Sequence, residues 1–276
     1  MFYIPVMTIA GSDSGGGAGI QADMKTFSAL GCFATSVITA VTAQNTLGVS
    51  AIEQLSPEII SSQIRAVMDD IQPRYIKIGM VGDSTSIDAV ATTLSGYALD
   101  GLVLDPVMVA TSGDRLMRED AVSILKERLI PLSTLLTPNI PEAEVLSGQK
   151  ITHPEDMPCV ARRILEYGCK GVLIKGGHLE GVTKQDYLLY KDADGNLRER
   201  LFSFDTINTP NTHGTGCTLS SAITAFLAHG YELEQAVMCG REYLHQALIS
   251  GQDVTLGRGH GPVNHFFNPQ KLVKNA

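Results

Sequence analysis

The sequence lacks closely spaced cysteine pairs and long apolar segments. Its five cysteines are odd in number and widely spread, which argues against a zinc site and against a disulfide framework. A reducing cytosol fits this usage best. No apolar segment is long enough to span a bilayer, and the first residues lack the basic start of a signal peptide. We therefore expect a cytoplasmic protein that does not interact with membranes.

Basic residues are in the minority. The chain has 21 Lys and Arg against 29 Asp and Glu, a formal net charge of −8. This balance argues against a basic nucleic-acid-binding face, although a local positive site can still attract a small anionic substrate. The chain has 276 residues, of which 44% are hydrophobic, and shows no linker or repeat. One domain covering residues 1–276 is expected.

Apolar strand segments alternate with helical segments along the chain. This alternation predicts an α/β fold with three layers, in which helices flank a mostly parallel central sheet. Residues 36–42 are β-branched and nearly all apolar, so we expect a central strand buried on both faces. Residues 185–204 alternate around a polar turn at 192–196, which predicts an antiparallel hairpin.

A glycine-rich turn at residues 211–220 precedes a run of good helix formers at 221–228. The first N–H groups of a helix have no internal acceptor and attract anions, above all phosphate. Gly214 and Gly216 would let the backbone approach such a ligand closely. The other interpretation is an ordinary helix start, capped by Thr215 or Thr218, in which the glycines only form a loop.

Further candidate ligand groups fall at the carboxyl ends of predicted strands, where open parallel sheets bind ligands. They are Gly11, Gln44, Met80, Asp105, Asn139 and Lys175. Each also has a structural interpretation. Gln44 could read an aminopyrimidine edge or satisfy a loop, and Asp105 could face a metal-bound phosphate or turn the chain. Lys175 could contact polyphosphate or reach solvent, and Glu142 could compensate a helix dipole. Their shared edge is the stronger argument for a site.

Six segments, in order, resemble hydroxymethylpyrimidine/phosphomethylpyrimidine kinases of thiamine biosynthesis. They are residues 8–23 (TIAGSDSGGGAGIQAD), 41–46 (VTAQNT), 105–108 (DPVM), 137–144 (TPNIPEAE), 174–178 (IKGGH) and 211–218 (NTHGTGCT). The resemblance implies a ribokinase-like fold and an ATP- and Mg2+-dependent kinase. Such an enzyme phosphorylates 4-amino-5-hydroxymethyl-2-methylpyrimidine and then converts the monophosphate to the diphosphate. Relatives commonly form homodimers, so a homodimer is expected.

The resemblance also implies roles for individual residues. The pyrimidine pocket would comprise Gly11, Asp23, Gln44, Met80 and Val107. Nucleotide contacts are expected at Asn139, Lys175 and Thr215, and Mg2+ at Glu142 and Asp105. Gly214, Gly216 and Cys217 would form the anion hole for the transferred phosphoryl group.

Cys217 stands where many sugar kinases of this fold carry an aspartate. A thiol at a helix N-terminus can have a lowered pKa, and as a thiolate Cys217 could accept the proton of the alcohol. The alternative is an inert buried thiol. We expect a lowered pKa and a catalytic role for Cys217, beside Lys175 and the backbone of the loop.

Two other functions fit parts of the pattern. A pyridoxal or pyridoxine kinase would share the fold, but its substrate has no amino group for Gln44 to pair with. A nucleotide-binding regulatory module without turnover would not need the full set of candidate residues. The sequence also departs from many relatives at Thr111, where they carry a lysine. No fused thiamine-phosphate synthase domain is expected.

Overall fold

The structure, a computed structural model, describes residues 1–108, 117, 119–178 and 183–275. Its strands are β1 (Phe2–Tyr3), β2 (Pro5–Asp13), β3 (Phe33–Asn45), β4 (Gly48–Gln54), β5 (Tyr75–Ile78), β6 (Gly101–Leu104), β7 (Leu135–Leu136), β8 (Gly171–Ile174), β9 (Thr183–Lys191), β10 (Leu197–Asp205) and β11 (Lys274–Asn275). Its α-helices are α1 (Gly19–Ala29), α2 (Pro57–Asp70), α3 (Ser84–Leu94), α4 (Glu119–Ile124), α5 (Ile140–Ser147), α6 (Met157–Leu165), α7 (Thr215–Ala228) and α8 (Leu233–Gly251). A π-helical turn at Leu125–Leu129 continues α4, and short 3-10 turns lie at Ile130–Leu132, Pro154–Asp156 and Gly176–His178.

Nine strands form the main sheet, in the order β10-β9-β8-β7-β6-β5-β2-β3-β4. The six strands from β8 to β3 in that order are mutually parallel. Antiparallel strands complete both edges, with β4 beside β3 and the hairpin β9–β10 beside β8. A separate pair, β1 and β11, joins the two ends of the chain.

Helices cover both faces of the sheet, because successive side chains of the buried strands point to opposite sides. In β6, Leu102 and Leu104 pack in the core that includes side chains of α2, α3, α5 and α6. Val103, between them, packs in the core formed with α7 and α8. Smaller apolar clusters pack α1 against α7 on that second face. The predicted three-layer α/β architecture and the hairpin are therefore confirmed.

The interpretation of residues 36–42 as a strand buried on both faces was wrong. They lie within β3, which is second from the edge of the sheet, and exposure alternates along it, with Val41 48% exposed. The edge strand β4 was not predicted from the sequence. Its side chains are mostly exposed, so it carries little of the apolar pattern that marks a buried strand.

The carboxyl ends of the parallel strands meet at one edge of the sheet, and α1, α5 and α7 begin just beyond it. Loops at this edge bring together residues that are far apart in sequence. Among the described residues, no helix combines the length and apolar character needed to cross a lipid bilayer.

Candidate active site

A cavity of about 720 Å³ opens at the carboxyl edge of the sheet. All the predicted site residues except Asp23 line it. They are Gly11, Gln44, Met80, Asp105, Val107, Asn139, Glu142, Lys175, Gly214, Thr215, Gly216 and Cys217. The segment around Thr111, where the sequence departs from many relatives, lies outside the described residues.

The glycine-rich turn forms an uncapped helix start. Gly214 adopts a left-handed backbone with φ 78°, and no side chain caps the first turn of α7. The hydroxyl of Thr218 donates to the carbonyl of Gly214 at 2.8 Å. The N–H groups of Gly216 and Cys217 have no hydrogen-bond acceptor among the described residues. The turn therefore presents unpaired donors at the positive end of a helix, next to the cavity.

Gly214 must be a glycine for a second reason. A Cβ at this position would collide with the backbone carbonyl oxygen of Gly17, in the loop between β2 and α1. The left-handed φ is itself unfavourable for a residue with a side chain. This close backbone contact ties the turn before α7 to the loop that follows β2.

A charged cluster lies beside the turn. Lys175, just after β8, places its Nζ 2.8 Å from Oδ1 of Asp105, which directly follows β6. A Cβ at Gly216 would be 3.5 Å from both Oδ2 of Asp105 and Nζ of Lys175. Burial alone would raise the pKa of Asp105, but the charges of Lys175 and Lys77 lower it below its usual value. Asp105 is therefore a carboxylate at neutral pH.

Glu142 completes this cluster from the first turn of α5. Its Oε2 accepts from the N–H of Asn139 at 2.8 Å, while Oδ1 of Asn139 accepts from the N–H of Glu142 at 2.9 Å. This reciprocal capping box fixes both side chains at the cavity wall. Burial raises the pKa of Glu142 to about 7, and the neighbouring charge of Asp105 adds to this effect although Lys175 opposes it.

Another part of the cavity wall is built around Asp13, at the end of β2. Its carboxylate accepts from the N–H groups of Gly15, Gly17 and Ala18 at 2.8 to 3.0 Å, which orders the glycine-rich loop. Oδ2 of Asp13 also lies 2.9 Å from Nε2 of His213. His213 in turn lies 3.5 Å from Nε2 of Gln44.

Asp23 does not reach the cavity, so its predicted contact with the pyrimidine is corrected. Its side chain is fully buried in an ion pair with Lys77, whose Nζ lies 2.8 Å from both carboxylate oxygens. The hydroxyls of Thr8 and Ser221 donate to the same carboxylate. Both carboxylate oxygens are therefore engaged, and Asp23 ties α1 to β2, β5 and α7.

The predicted lowering of the Cys217 pKa was wrong. Burial raises the pKa of the thiol to about 11, and the nearby charges of Asp23 and Asp105 act in the same direction. The positive charge of Lys77 and a hydrogen bond from the N–H of Gly19 oppose this shift but do not outweigh it. Cys217 is therefore a neutral thiol at neutral pH in this structure.

Sequence reasoning missed the residues that extend the cavity beyond Lys175. The Arg241 guanidinium lies 3.6 Å above the ring of Phe204 and its Nε lies 3.1 Å from Oδ2 of Asp186. All three line the cavity. They come from α8, β10 and β9, and no motif connects them. His213 and Asp13 were also missed, although both lie inside segments that carried the resemblance.

Comparisons with known proteins identify the family of this chain. A model of the family described as phosphomethylpyrimidine kinase matches residues 13–264. The hydroxymethylpyrimidine/phosphomethylpyrimidine kinase of Rhizobium meliloti (strain 1021) is 50% identical over 261 residues, which are 94% of this chain and 96% of that protein.

Solved structures give the same result. The crystal structure of a phosphomethylpyrimidine kinase from Clostridium difficile 630 has a TM-score of 0.78 and 48% identity, covering 89% of this chain and 99% of that one. A Staphylococcus aureus pyridoxal kinase in complex with AMP-PCP and pyridoxal has a TM-score of 0.86 and 31% identity, covering 98% and 97%. The predicted ribokinase-like fold is confirmed, and the chain belongs to the phosphomethylpyrimidine kinase family.

Proposed function

We propose that this chain is a kinase that uses ATP to phosphorylate the hydroxymethyl group of 4-amino-5-hydroxymethyl-2-methylpyrimidine. The same site then phosphorylates the monophosphate to the diphosphate, in thiamine biosynthesis. The observation that carries this proposal is one cavity lined both by the amide side chain of Gln44 and by an uncapped helix N-terminus beside Lys175. A heterocyclic alcohol and a nucleoside triphosphate would meet between them.

The anion hole would consist of the N–H groups of Gly216 and Cys217. Fixed before the reaction, these donors would face the negative charge that builds up on the transferred phosphoryl group, which is the usual basis of phosphoryl-transfer catalysis. Lys175 adds a positive charge beside these donors. Thr215 and Asn139 would contact the nucleotide phosphates from the starts of α7 and α5.

The residues present fit a Mg2+ ion held together with ATP. Asp105 and Glu142 offer carboxylate oxygens. Among the described residues, no group of three or more side chains could hold a metal ion without the phosphates. One or two carboxylates plus substrate phosphates are the common setting for Mg2+. The ion supplies charge neutralisation on the phosphates when bound. Its two carboxylates are held in place by Lys175 and by the capping box of Asn139.

Cys217 is proposed to act as the base in the first phosphorylation only. Its thiolate would accept the proton of the hydroxymethyl group, whereas the second acceptor is a phosphate oxygen that is already ionised. Because the thiol is neutral at pH 7, this role requires deprotonation of Cys217 before transfer. Lys77, buried below the thiol, is the charge that favours the thiolate.

The pyridoxal kinase alternative is less well supported. Pyrimidine kinases match this chain at 48% to 50% identity, against 31% for the pyridoxal kinase. A side-by-side measurement of kcat/KM with the pyrimidine alcohol and with pyridoxine separates the two functions. We expect a preference for the pyrimidine of at least about tenfold. A preference for pyridoxine would favour the alternative, and ATP binding without turnover of either acceptor would favour a regulatory module.

Homodimer formation and a cytoplasmic location remain predictions from the sequence and the resemblance. Sedimentation of the purified chain at micromolar concentration tests the first. A single species with the mass of the monomer would contradict it.

A further inference from the structure

The hydrogen bonds around Gln44 leave little freedom in the orientation of its carboxamide. Nε2 of Gln44 lies 3.5 Å from Nε2 of His213, and Oε1 of Gln44 lies 3.1 Å from Oγ1 of Thr42. The carboxamide oxygen accepts hydrogen bonds and the carboxamide nitrogen donates them. The orientation of the carboxamide therefore depends on whether His213 and Thr42 each present a donor or an acceptor.

His213 must present a donor at Nε2. That nitrogen lies 2.9 Å from Oδ2 of Asp13, and the same oxygen already accepts from the N–H groups of Gly17 and Ala18. An oxygen facing two N–H donors is a poor place for a proton, so Asp13 is a carboxylate and the proton of the contact belongs to His213. Consistently, burial would raise the pKa of Asp13, but the hydrogen bonds from His213, Ala18 and Gly15 together lower it.

Thr42 must present an acceptor to Gln44. Its Oγ1 lies 2.7 Å from the carbonyl oxygen of Ser12, which can only accept, so the single hydroxyl hydrogen is used there. In the orientation seen, the amide nitrogen of Gln44 faces the N–H of His213, so two donors meet. Its amide oxygen faces a lone pair of Thr42, so two acceptors meet. Both conflicts disappear when the carboxamide is rotated by half a turn.

We propose that His213 is a specificity-determining positioning residue. Its Nε2 carries the one hydrogen that is directed to Asp13 and so has no lone pair to accept from Gln44. The positive N–H edge therefore favours Oε1 of Gln44 on the side of His213 and Nε2 of Gln44 toward Thr42. This inference rests on the proposed function and extends it to a residue that does not itself contact the reacting atoms.

The fixed carboxamide keeps one acceptor and one donor for a ligand. Oε1 lies on the side of the His213 N–H and keeps a lone pair for a ligand, while Nε2 has two hydrogens and gives one to Thr42. The remaining lone pair and N–H match a ring edge that carries an amino group beside a ring nitrogen. A bound ring without the amino group would cover the oxygen of Gln44 and leave it unpaired, which is penalised.

Two amide substitutions of His213 form a matched pair. The amide nitrogen of a glutamine can reach the position of Nε2, whereas that of the shorter asparagine cannot. We compare kcat/KM for the pyrimidine alcohol with kcat/KM for its des-amino analogue, 5-hydroxymethyl-2-methylpyrimidine, at saturating MgATP. In His213→Asn the discrimination between them should fall about fivefold or more, and in His213→Gln most of it should return. If His213→Asn does not fold, His213→Leu takes its place.

A double-mutant cycle with Gln44→Ala separates positioning from general damage to the neighbouring turn. In the Gln44→Ala background, His213→Asn should change the discrimination by less than about twofold, because the carboxamide is gone. The inference is overturned if discrimination survives in His213→Asn, or if it falls equally in both backgrounds.

Failure of the proposed function is a separate outcome, since it appears as no turnover of the pyrimidine by the unmodified chain. The carboxamide orientation is then tested by a crystal structure at a resolution that shows hydrogens. Oε1 facing His213 supports the inference, and Nε2 facing His213 overturns it.

Discussion

Replacing Cys217 by alanine should slow the first phosphorylation much more than the second. The first acceptor is an alcohol that must lose a proton, and the only proton acceptor proposed for it is the Cys217 thiolate. The second acceptor is a phosphate oxygen that needs little help from a base. The substitution keeps the helix start and its N–H donors, because alanine is a good helix former.

The size of the effect follows from the raised pKa of the thiol. With a pKa of about 11, roughly one molecule in ten thousand carries a thiolate at pH 7. The first step should therefore accelerate about tenfold per pH unit between roughly pH 7 and pH 10, until another step limits the rate. General base catalysis typically contributes about 10² to 10⁴ in rate, so we expect Cys217→Ala to lose about 10²-fold or more in the first step.

The two steps can be measured separately by starting from the alcohol or from the monophosphate and following ADP formation. Cys159→Ala is the matched control, because Cys159 is exposed and does not line the cavity. Cys217→Asp, which introduces the aspartate of many sugar kinases with this fold, should flatten the pH dependence of the first step. Equal losses in both steps for Cys217→Ala, or an unchanged pH slope, would refute the base role.

Three further substitutions test other parts of the site. Glu142 has a pKa of about 7, so its carboxylate forms as the pH rises through 7, and the affinity for MgATP should strengthen over that range. In Glu142→Gln, the MgATP affinity measured by isothermal titration should show little pH dependence. Gly214→Ala should reduce kcat by about 10²-fold or more, because its Cβ would strike the carbonyl of Gly17 and displace the anion hole. Lys77→Met should lower the free energy of unfolding by about 3 to 5 kcal/mol in urea melts, since Asp23 would be left buried and unpaired.

Matched controls exist for the last two changes. Gly148→Ala also places a side chain at a positive φ, but nothing lies within 4 Å of its Cβ, so kcat should hardly change. Arg74 forms an exposed ion pair with Asp100, so Arg74→Met should leave the urea midpoint nearly unchanged. Equal effects in test and control would contradict the reasoning, as would equal pH dependence of MgATP affinity with and without Glu142.

The sequence predicted the placement of the cavity-lining residues because one rule of parallel sheets applies to all of them. Gln44, Asp105 and Lys175 each follow the carboxyl end of a strand or lie at it, and these ends share one edge. The uncapped turn at Gly214 was likewise visible as glycines before a run of helix formers. Local patterns therefore found most of the cavity wall.

What the sequence could not predict depends on contacts between distant segments. Lys77 and Asp23 are 54 positions apart, and nothing in either segment shows that one neutralises the other. The pKa of Cys217 depends on burial, which outweighs the helix terminus that the sequence suggested. Arg241 and Phe204 come together only when α8 packs beside the hairpin.

A crystal structure with a non-hydrolysable ATP analogue and the pyrimidine alcohol tests the central claim most directly. We expect oxygens of the terminal phosphoryl group within hydrogen-bonding distance of the N–H groups of Gly216 and Cys217. The amino edge of the ring should contact the carboxamide of Gln44, with its hydroxymethyl group directed toward that phosphoryl group. A ring bound away from Gln44, or a terminal phosphoryl group that does not contact the turn before α7, would contradict the account.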